Sequence, residues 1–205
     1  MGAMTDSPDS PSDSPSDSPS PSASPASSAP AATPAPLTGL DADEVLDVVD
    51  ERDEVVGRAP RGRVYAERLR HRCTFVLPRT ADGRYFVHRR TARKLVFPRH
   101  YDMFVGGVVG AGETYDRAAL REAEEELGMT GLPAPEPLFS FLYRGEQGEW
   151  WSSVYRVVCP DEVHPQPAEV EWHAFLTEDE LLARIPEWPW VPDGLAAWER
   201  LRARG

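Results

Sequence analysis

The sequence predicts an α/β protein in which a mixed sheet lies between helices. Three observations carry that expectation. Short runs rich in β-branched and aromatic residues recur between Asp53 and Phe175; a glycine-rich loop leads into one sharply delimited helix between Thr114 and Gly128; and helical spacing returns after Thr177.

The first 40 of the 205 residues are Pro, Ser, Ala and Asp with almost nothing able to build a core, so residues 1–40 are expected to form a disordered tail. Residues 12–19 repeat Ser-Asp-Ser-Pro, which reads either as plain tail or as a run of Ser-Pro phosphorylation sites. Residues 41–205 suit one domain with a core of ordinary size.

Within that domain, residues 41–50 carry a short apolar pattern compatible with helix or strand, and residues 53–57 read as a strand entering a turn. Residues 73–77 and 84–88 are strands joined across the hairpin signal Asp82-Gly83. Residues 103–109 are expected to be a strand leading into the glycine loop. Residues 139–143 and 151–158 pair as a hairpin across residues 144–149, and residues 170–175 form a further strand. Thr177 with Glu180 is a capping box for a helix carrying Leu181, Leu182 and Ile185, which Pro186 and Pro189 break. Residues 191–204 read as a last helix with Leu195, Trp198 and Leu201 on its inner side.

The most informative segment is residues 107–129. Gly107, Glu113, Arg121, Glu122, Ala123, Glu125, Glu126, Gly128 and Met129 stand at G-x5-E-x7-R-E-U-x-E-E-x-G-U, with U apolar, and no position departs from it. Thr114 or its neighbours cap the helix, and Gly128 supplies a residue tolerant of positive φ at its end. At about 100° per residue, Glu122, Glu125 and Glu126 share one face, while Leu120, Ala123 and Leu127 form an apolar stripe. Like charges at these spacings destabilise a helix by a few tenths of a kcal/mol per pair, so they ask for a cation, and oxygen ligands select Mg²⁺ or Mn²⁺. Gly106, Gly107, Gly110 and Gly112 leave backbone groups open to a phosphate and its metal. Arg121 either pairs with Glu113, holding loop to helix, or binds phosphate.

The formal net charge of −12 argues against a nucleic-acid-binding surface. Basic residues cluster over residues 58–72 and again at Arg89, Arg90, Arg93, Lys94 and Arg99, as an anion site or as plain compositional bias. No stretch has the length of a membrane span, so no membrane partner and a cytoplasmic location are expected. Cys73 and Cys159 lack disulfide or metal spacing and are read as buried, reduced thiols. Trp150, Trp151 and Trp172 are core residues or a platform for a base.

The segment 107–129 resembles the Nudix box, and the likeness to the Nudix superfamily extends over about residues 45–185. The resemblance implies an α/β/α sandwich and Mg²⁺-dependent hydrolysis of an organic diphosphate, with a small-molecule diphosphate substrate and either a monomer or a homodimer. It places metal ligands at Glu122 and Glu126, with Glu125 assisting and the Gly107 carbonyl a candidate ligand, and leaves Glu113 and Arg121 structural. It leaves the general base open among Glu122, Glu125 and a later carboxylate, for which Glu149 and Glu169 are candidates. Residues 69–75, with His88-Arg89-Arg90, Lys94 and Phe97-Pro98, also resemble the lead-in of isopentenyl-diphosphate isomerases and related hydrolases. By that likeness Arg90 and Lys94 contact the diphosphate and His71 lies at the metal, making the three candidate substrate-side residues. The isomerase chemistry needs a Cys where Gly106 stands and a His where Val108 stands, so an isomerase-like enzyme and a non-catalytic ligand sensor are kept as alternatives to the hydrolase.

Overall fold

A computed structural model describes residues 40–94 and 96–204; of the tail expected over residues 1–40, residues 1–39 lie outside the described residues and Leu40 begins a helix. The pattern over residues 41–50 resolves into both of its readings: α1 (Leu40–Asp43), then β1 (Val45–Val49), which pairs antiparallel with β2 (Val55–Pro60). Pro60 then leads into α2 (Arg61–Ala66), a helix the sequence reading did not include.

The main sheet is built from β3 (His71–Arg79), β4 (Tyr85–Arg90), β5 (Tyr101–Asp102), β6 (Glu136–Gly145), β7 (Gly148–Val158) and β8 (Val170–Leu176). Its order is β5-β4-β3-β7-β6, with β8 on β4. β3 runs parallel to β7 over nine residue pairs, from His71 opposite Trp150 to Arg79 opposite Val158, while the other pairings are antiparallel, so the sheet is mixed. The β6–β7 turn is tighter than expected, because Gly145 pairs with Gly148 and leaves only Glu146 and Gln147 between the strands.

One expectation is corrected. Residues 103–109 are not a strand: they touch β3 only through isolated bridges, Val105 with Val76 and Val108 with Cys73. Gly106, at φ 155°, brings its Cα so close to Thr74 that a Cβ would stand 2.0 Å from the Thr74 carbonyl oxygen, and this crowding prevents a regular ladder.

The helix α3 (Tyr115–Leu127) covers one side of the sheet, with Ala119, Ala123 and Leu127 packed among Val76, Phe86, Val105, Tyr155 and Val157. On the other side Leu181 of α4 (Glu178–Arg184) and Ala197 and Trp198 of α5 (Pro192–Arg202) pack among Phe75, Leu77, Tyr85, Met103 and Val154. The result is a helix–sheet–helix sandwich. Thr177 makes the full capping box at α4. Cys159 is buried and Cys73 half-buried, and both are free thiols. None of the described helices is long and apolar enough to cross a membrane.

Two contacts fix how the ends of α3 and α5 sit. Gly128 caps α3 at φ 64°, and a Cβ there would lie 1.7 Å from the His164 carbonyl oxygen. Gly194, in α5, would place a Cβ 2.7 Å from Oδ1 of Asp102, a buried acid whose one hydrogen bond comes from the Phe104 N–H at 2.9 Å.

Gly128→Ala and Gly131→Ala both force an L residue into positive φ, but nothing lies within 4 Å of the Gly131 Cβ position. Denaturant unfolding should show Gly131→Ala costing about 1–2 kcal/mol and Gly128→Ala clearly more; equal losses would disprove the close approach to His164. Burial raises the Asp102 carboxyl from 3.8 to about 8. Between those pH values the native state keeps a proton that the unfolded chain has released, so stability falls as pH rises, by up to about 1.4 kcal/mol per pH unit. Asp102→Asn should flatten that slope in unfolding measured from pH 5 to pH 8.

Candidate active site

The glycine loop is held from several sides. Asp47 of β1 accepts from the Gly112 N–H at 2.8 Å and from Arg58 Nε at 2.8 Å, and Ala111 N donates to the Val45 carbonyl at 2.9 Å. At the start of α3 the Thr114 side chain accepts from Arg117 N at 3.3 Å. Tyr115 Oη donates to Asp53 at 3.0 Å, and Asp53 also accepts from Arg72 Nε at 2.7 Å. Tyr155 Oη donates to Asp116 at 2.7 Å. The helix N-terminus is therefore fastened to both sheets before any ligand enters.

Glu113 and Arg121 close the loop onto the helix. Arg121 donates to the two Glu113 oxygens at 3.1 and 3.0 Å, and Glu113 accepts a further bond from Gly110 N at 3.1 Å. Burial acts to raise the Glu113 carboxyl, but these bonds outweigh it and hold it below the usual range. The same guanidinium reaches Glu122 at 2.7 Å and Glu125 at 3.4 Å, so one arginine serves three of the motif's acids. Glu125 is the exposed one, with 54% of its side-chain surface free.

Glu122 and Glu126 are the inward acids. The Glu122 carboxyl lies against Gly107, where a Cβ would stand 2.7 Å from it and would push the carboxyl out of its present place. Burial first, and then the neighbouring Glu126 charge, push Glu122 up to about 7 in spite of Arg121. Glu126 is 6% exposed; it accepts from Gly106 N at 3.2 Å and faces Lys94 Nζ at 3.5 Å. Burial raises its carboxyl too, with Lys94 and Arg90 pulling the other way. The Gly107 carbonyl accepts from Thr74 N at 2.9 Å, which leaves one lone pair free.

Lys94 also pairs with Glu169. Burial acts to raise Glu169, and the Lys94 charge overcomes it, leaving that carboxyl below its ordinary range. The pairing follows from the backbone: Thr91 N and Oγ1 donate to the Glu169 and Ala168 carbonyls at 3.0 and 2.9 Å. His164 N likewise donates to the Leu127 carbonyl at 2.9 Å, so the segment between β7 and β8 wraps the end of α3 and delivers Glu169 to the acids. Arg90 stands close enough to lower Glu126, Glu169, Asp102 and Asp193, yet it makes no ion pair within 4 Å among the described residues.

Two of the residues singled out in the sequence lie apart from this group. Glu149 pairs with Arg70 at 2.7 Å and Arg144 at 3.3 Å at the start of β7. His71 is buried between Tyr65 and Trp150, its Nδ1 3.0 Å from the Leu69 carbonyl oxygen, and burial pushes it down to about 4, so it is neutral. Of the tryptophans, Trp150 is buried, Trp151 donates to the Asp50 carbonyl at 3.2 Å and Trp172 is partly exposed. Four acids with structural or site positions escape the sequence reading: Asp47, Asp53, Asp102 and Asp193. The signal for Asp47 and Asp102 is a single acid inside an apolar run.

No three acidic, histidine or cysteine side chains among the described residues converge as a preformed metal cage, and Arg121 and Lys94 reach Glu122 and Glu126. The donor set is nevertheless made of hard carboxylate and carbonyl oxygens, which suits Mg²⁺ or Mn²⁺.

The NUDIX domain family model matches residues 69–198. An uncharacterised Nudix hydrolase of Streptomyces coelicolor is 66% identical over 163 residues, covering 79% of this chain and 90% of the relative. The uncharacterised Nudix hydrolase YfcD of Escherichia coli K12 is 35% identical over 164 residues, covering 78% and 89%. Among solved structures, DR0079 of Deinococcus radiodurans is similar at 35% identity and a TM-score of 0.65, covering 77% of this chain and 98% of that one. The matched span runs from the start of β3 through the box helix into α5, and this chain belongs to the Nudix family of hydrolases.

Proposed function

We propose that the protein is a divalent-metal-dependent pyrophosphohydrolase that cleaves the P–O–P linkage of a small organic diphosphate with water. The observation that carries this reading is the pair of inward carboxyls, Glu122 and Glu126, set beside the glycine loop with Lys94 and Arg90 facing the same place. Glu122 and Glu126 would hold Mg²⁺ or Mn²⁺, with Glu125 and the Gly107 carbonyl completing the set. When bound there, the ion would supply Lewis-acid polarisation of a water molecule and offset charge developing on the phosphoryl oxygens.

The rest of the chemistry falls to the chain's own side chains. Arg90 and Lys94 orient the diphosphate and spread its charge. Glu169, ionised at neutral pH and left out of the metal-ligand set that Glu122, Glu125 and Glu126 would form, accepts the proton of the attacking water. The P–O bond to the leaving phosphate breaks as the new P–O bond forms, so one water gives two phosphate products. An isomerase mechanism finds no support at Gly106, where any side chain would meet the Thr74 carbonyl at 2.0 Å, and Val108 is buried.

Glu122→Gln and Glu126→Gln should each lower kcat by roughly 10²–10³-fold with circular dichroism unchanged, and full turnover in either would remove the metal-ligand assignment. In unfolding scans Mg²⁺ near 100 Kd should stabilise the wild type by about 2.7 kcal/mol, and this stabilisation should shrink in both variants. Glu169→Gln should lose about 10²–10⁴-fold in kcat, whereas Glu149→Gln should stay near wild type; the opposite order would transfer the proton acceptor to Glu149.

A further inference from the structure

A surface cleft of about 720 Å³ opens where the chain leaves α2, enters β3 and meets the β6–β7 turn. Its charged lining is Arg68, Arg70 and Arg144 against the single carboxylate of Glu149, a local surplus of positive charge on a chain whose formal net charge is −12. None of these residues belongs to the group around Glu122 and Glu126. Arg70 stands four residues before Thr74, whose N–H holds the Gly107 carbonyl, so the cleft lies roughly 13 Å along β3 from the glycine loop.

Two of the guanidiniums are set in place by one acid. Glu149 Oε2 accepts from Arg70 Nη2 at 2.7 Å and Nε at 3.3 Å, and its other oxygen lies 3.3 Å from Arg144 Nε. The Arg70 bond, and then the charges of Arg70 and Arg144, outweigh the desolvation of the Glu149 carboxyl and hold it below its ordinary range. Arg70 is 21% exposed, so packing fixes it as well, and Glu51, which reaches it at 3.8 Å, is 76% exposed and does not line the cleft. The third cation arrives by a backbone turn. Arg68 has φ 52°, and the Leu69 N–H donates to the Val64 carbonyl at 2.8 Å, which brings Arg68 beside Gly148, where a Cβ would stand 3.7 Å from the Arg68 Cβ. Among the described residues the Arg68 side chain and the terminal nitrogens of Arg144 make no hydrogen bond, and Nη1 of Arg70 is likewise unused.

The open groups select the chemistry. Guanidinium nitrogens only donate, so the cleft offers donors in excess and repels a cation. A planar N–H fork matches the oxygens of phosphate, and three forks from different segments suit a tetrahedral dianion better than a flat monocarboxylate. A long polyanion would meet the negative charge of the remaining surface, which favours a small ligand, and the volume is ordinary for one.

We propose that Arg68, Arg70 and Arg144 form a second anion site, separate from the catalytic group, that binds a phosphate-type dianion, with Glu149 holding two of the arginines in position. The ligand is free phosphate or the phosphate of a small monoester, since both present the same oxygens.

The test titrates inorganic phosphate, and in a parallel arm glycerol 3-phosphate, into the full chain without divalent metal at low ionic strength, followed by amide NMR. The amides of Arg70, Gly145 and Gly148 should shift saturably with either ligand. Tighter binding of the monoester assigns the source to a phosphorylated organic molecule, and equal or weaker binding assigns it to free phosphate. Arg68→Gln and Arg144→Gln, both at exposed positions, should each weaken the binding about tenfold or more, whereas Arg156→Gln, on the distant part of β7, should leave it as in the wild type. An absence of saturable shifts at these three amides would overturn the site. So would equal shifts with sodium chloride at matched ionic strength, shifts confined to Gly106 and Gly107 of the catalytic loop, full affinity in both cleft variants, or an equal loss in Arg156→Gln.

Discussion

Two carboxyls buried side by side on one helix, Glu122 and Glu126, set the terms for everything around them. Burial pushes both toward their protonated forms, and the Glu126 charge adds to the burden on Glu122. A site of this kind stays folded only if cations and N–H groups meet it. Arg121 reaches Glu122, Lys94 reaches Glu126, and the Gly106 N–H completes the second acid's shell. The close seat of Glu122 on Gly107 follows, because any side chain at that position would occupy the space of the carboxyl. The same two cations give the acids positive charge from the chain itself.

The frame that carries these acids is rigid for reasons that can be named. Glu113 is tied to Arg121 and to Gly110, and Asp47 to Gly112, so the part of the loop that enters α3 is held from two sides. The far end of α3 stops at Gly128, against which the His164 carbonyl packs. That approach has a functional consequence, since the segment it anchors runs on to Ala168 and Glu169 and is caught there by Thr91. One end of the box helix thus positions the motif's own acids, while the other end places a carboxylate that the motif does not contain.

What was legible in the sequence follows from how local each device is. The Thr114 cap, the Gly128 stop and the capping box of Thr177 with Glu180 depend on residues within a few positions, and the structure forms each of them. The proximity of Lys94 to Glu169 spans 75 residues, and the parallel pairing of β3 with β7 is equally remote, so neither could be read from spacing. Residues 103–109 misled because an apolar run suggests a strand, whereas the crowding of Gly106 on Thr74 depends on a partner segment far back in the chain, about which periodicity says nothing. The helix α2 was hidden for a different reason: only Val64 among its residues is buried, so it shows almost no apolar stripe.

The division between what the motif specifies and what it leaves open is physical. The motif needs charges at fixed spacing, and one helix with its loop can provide that spacing on its own. Outside the box, the buried Asp102, Trp150 and Asp193 come from β5, β7 and α5. Such residues are drawn from distant parts of the chain, so no single stretch could carry them as a pattern. Arg90 joins the two regions, because its charge is felt by Glu126 on one side and by both aspartates on the other.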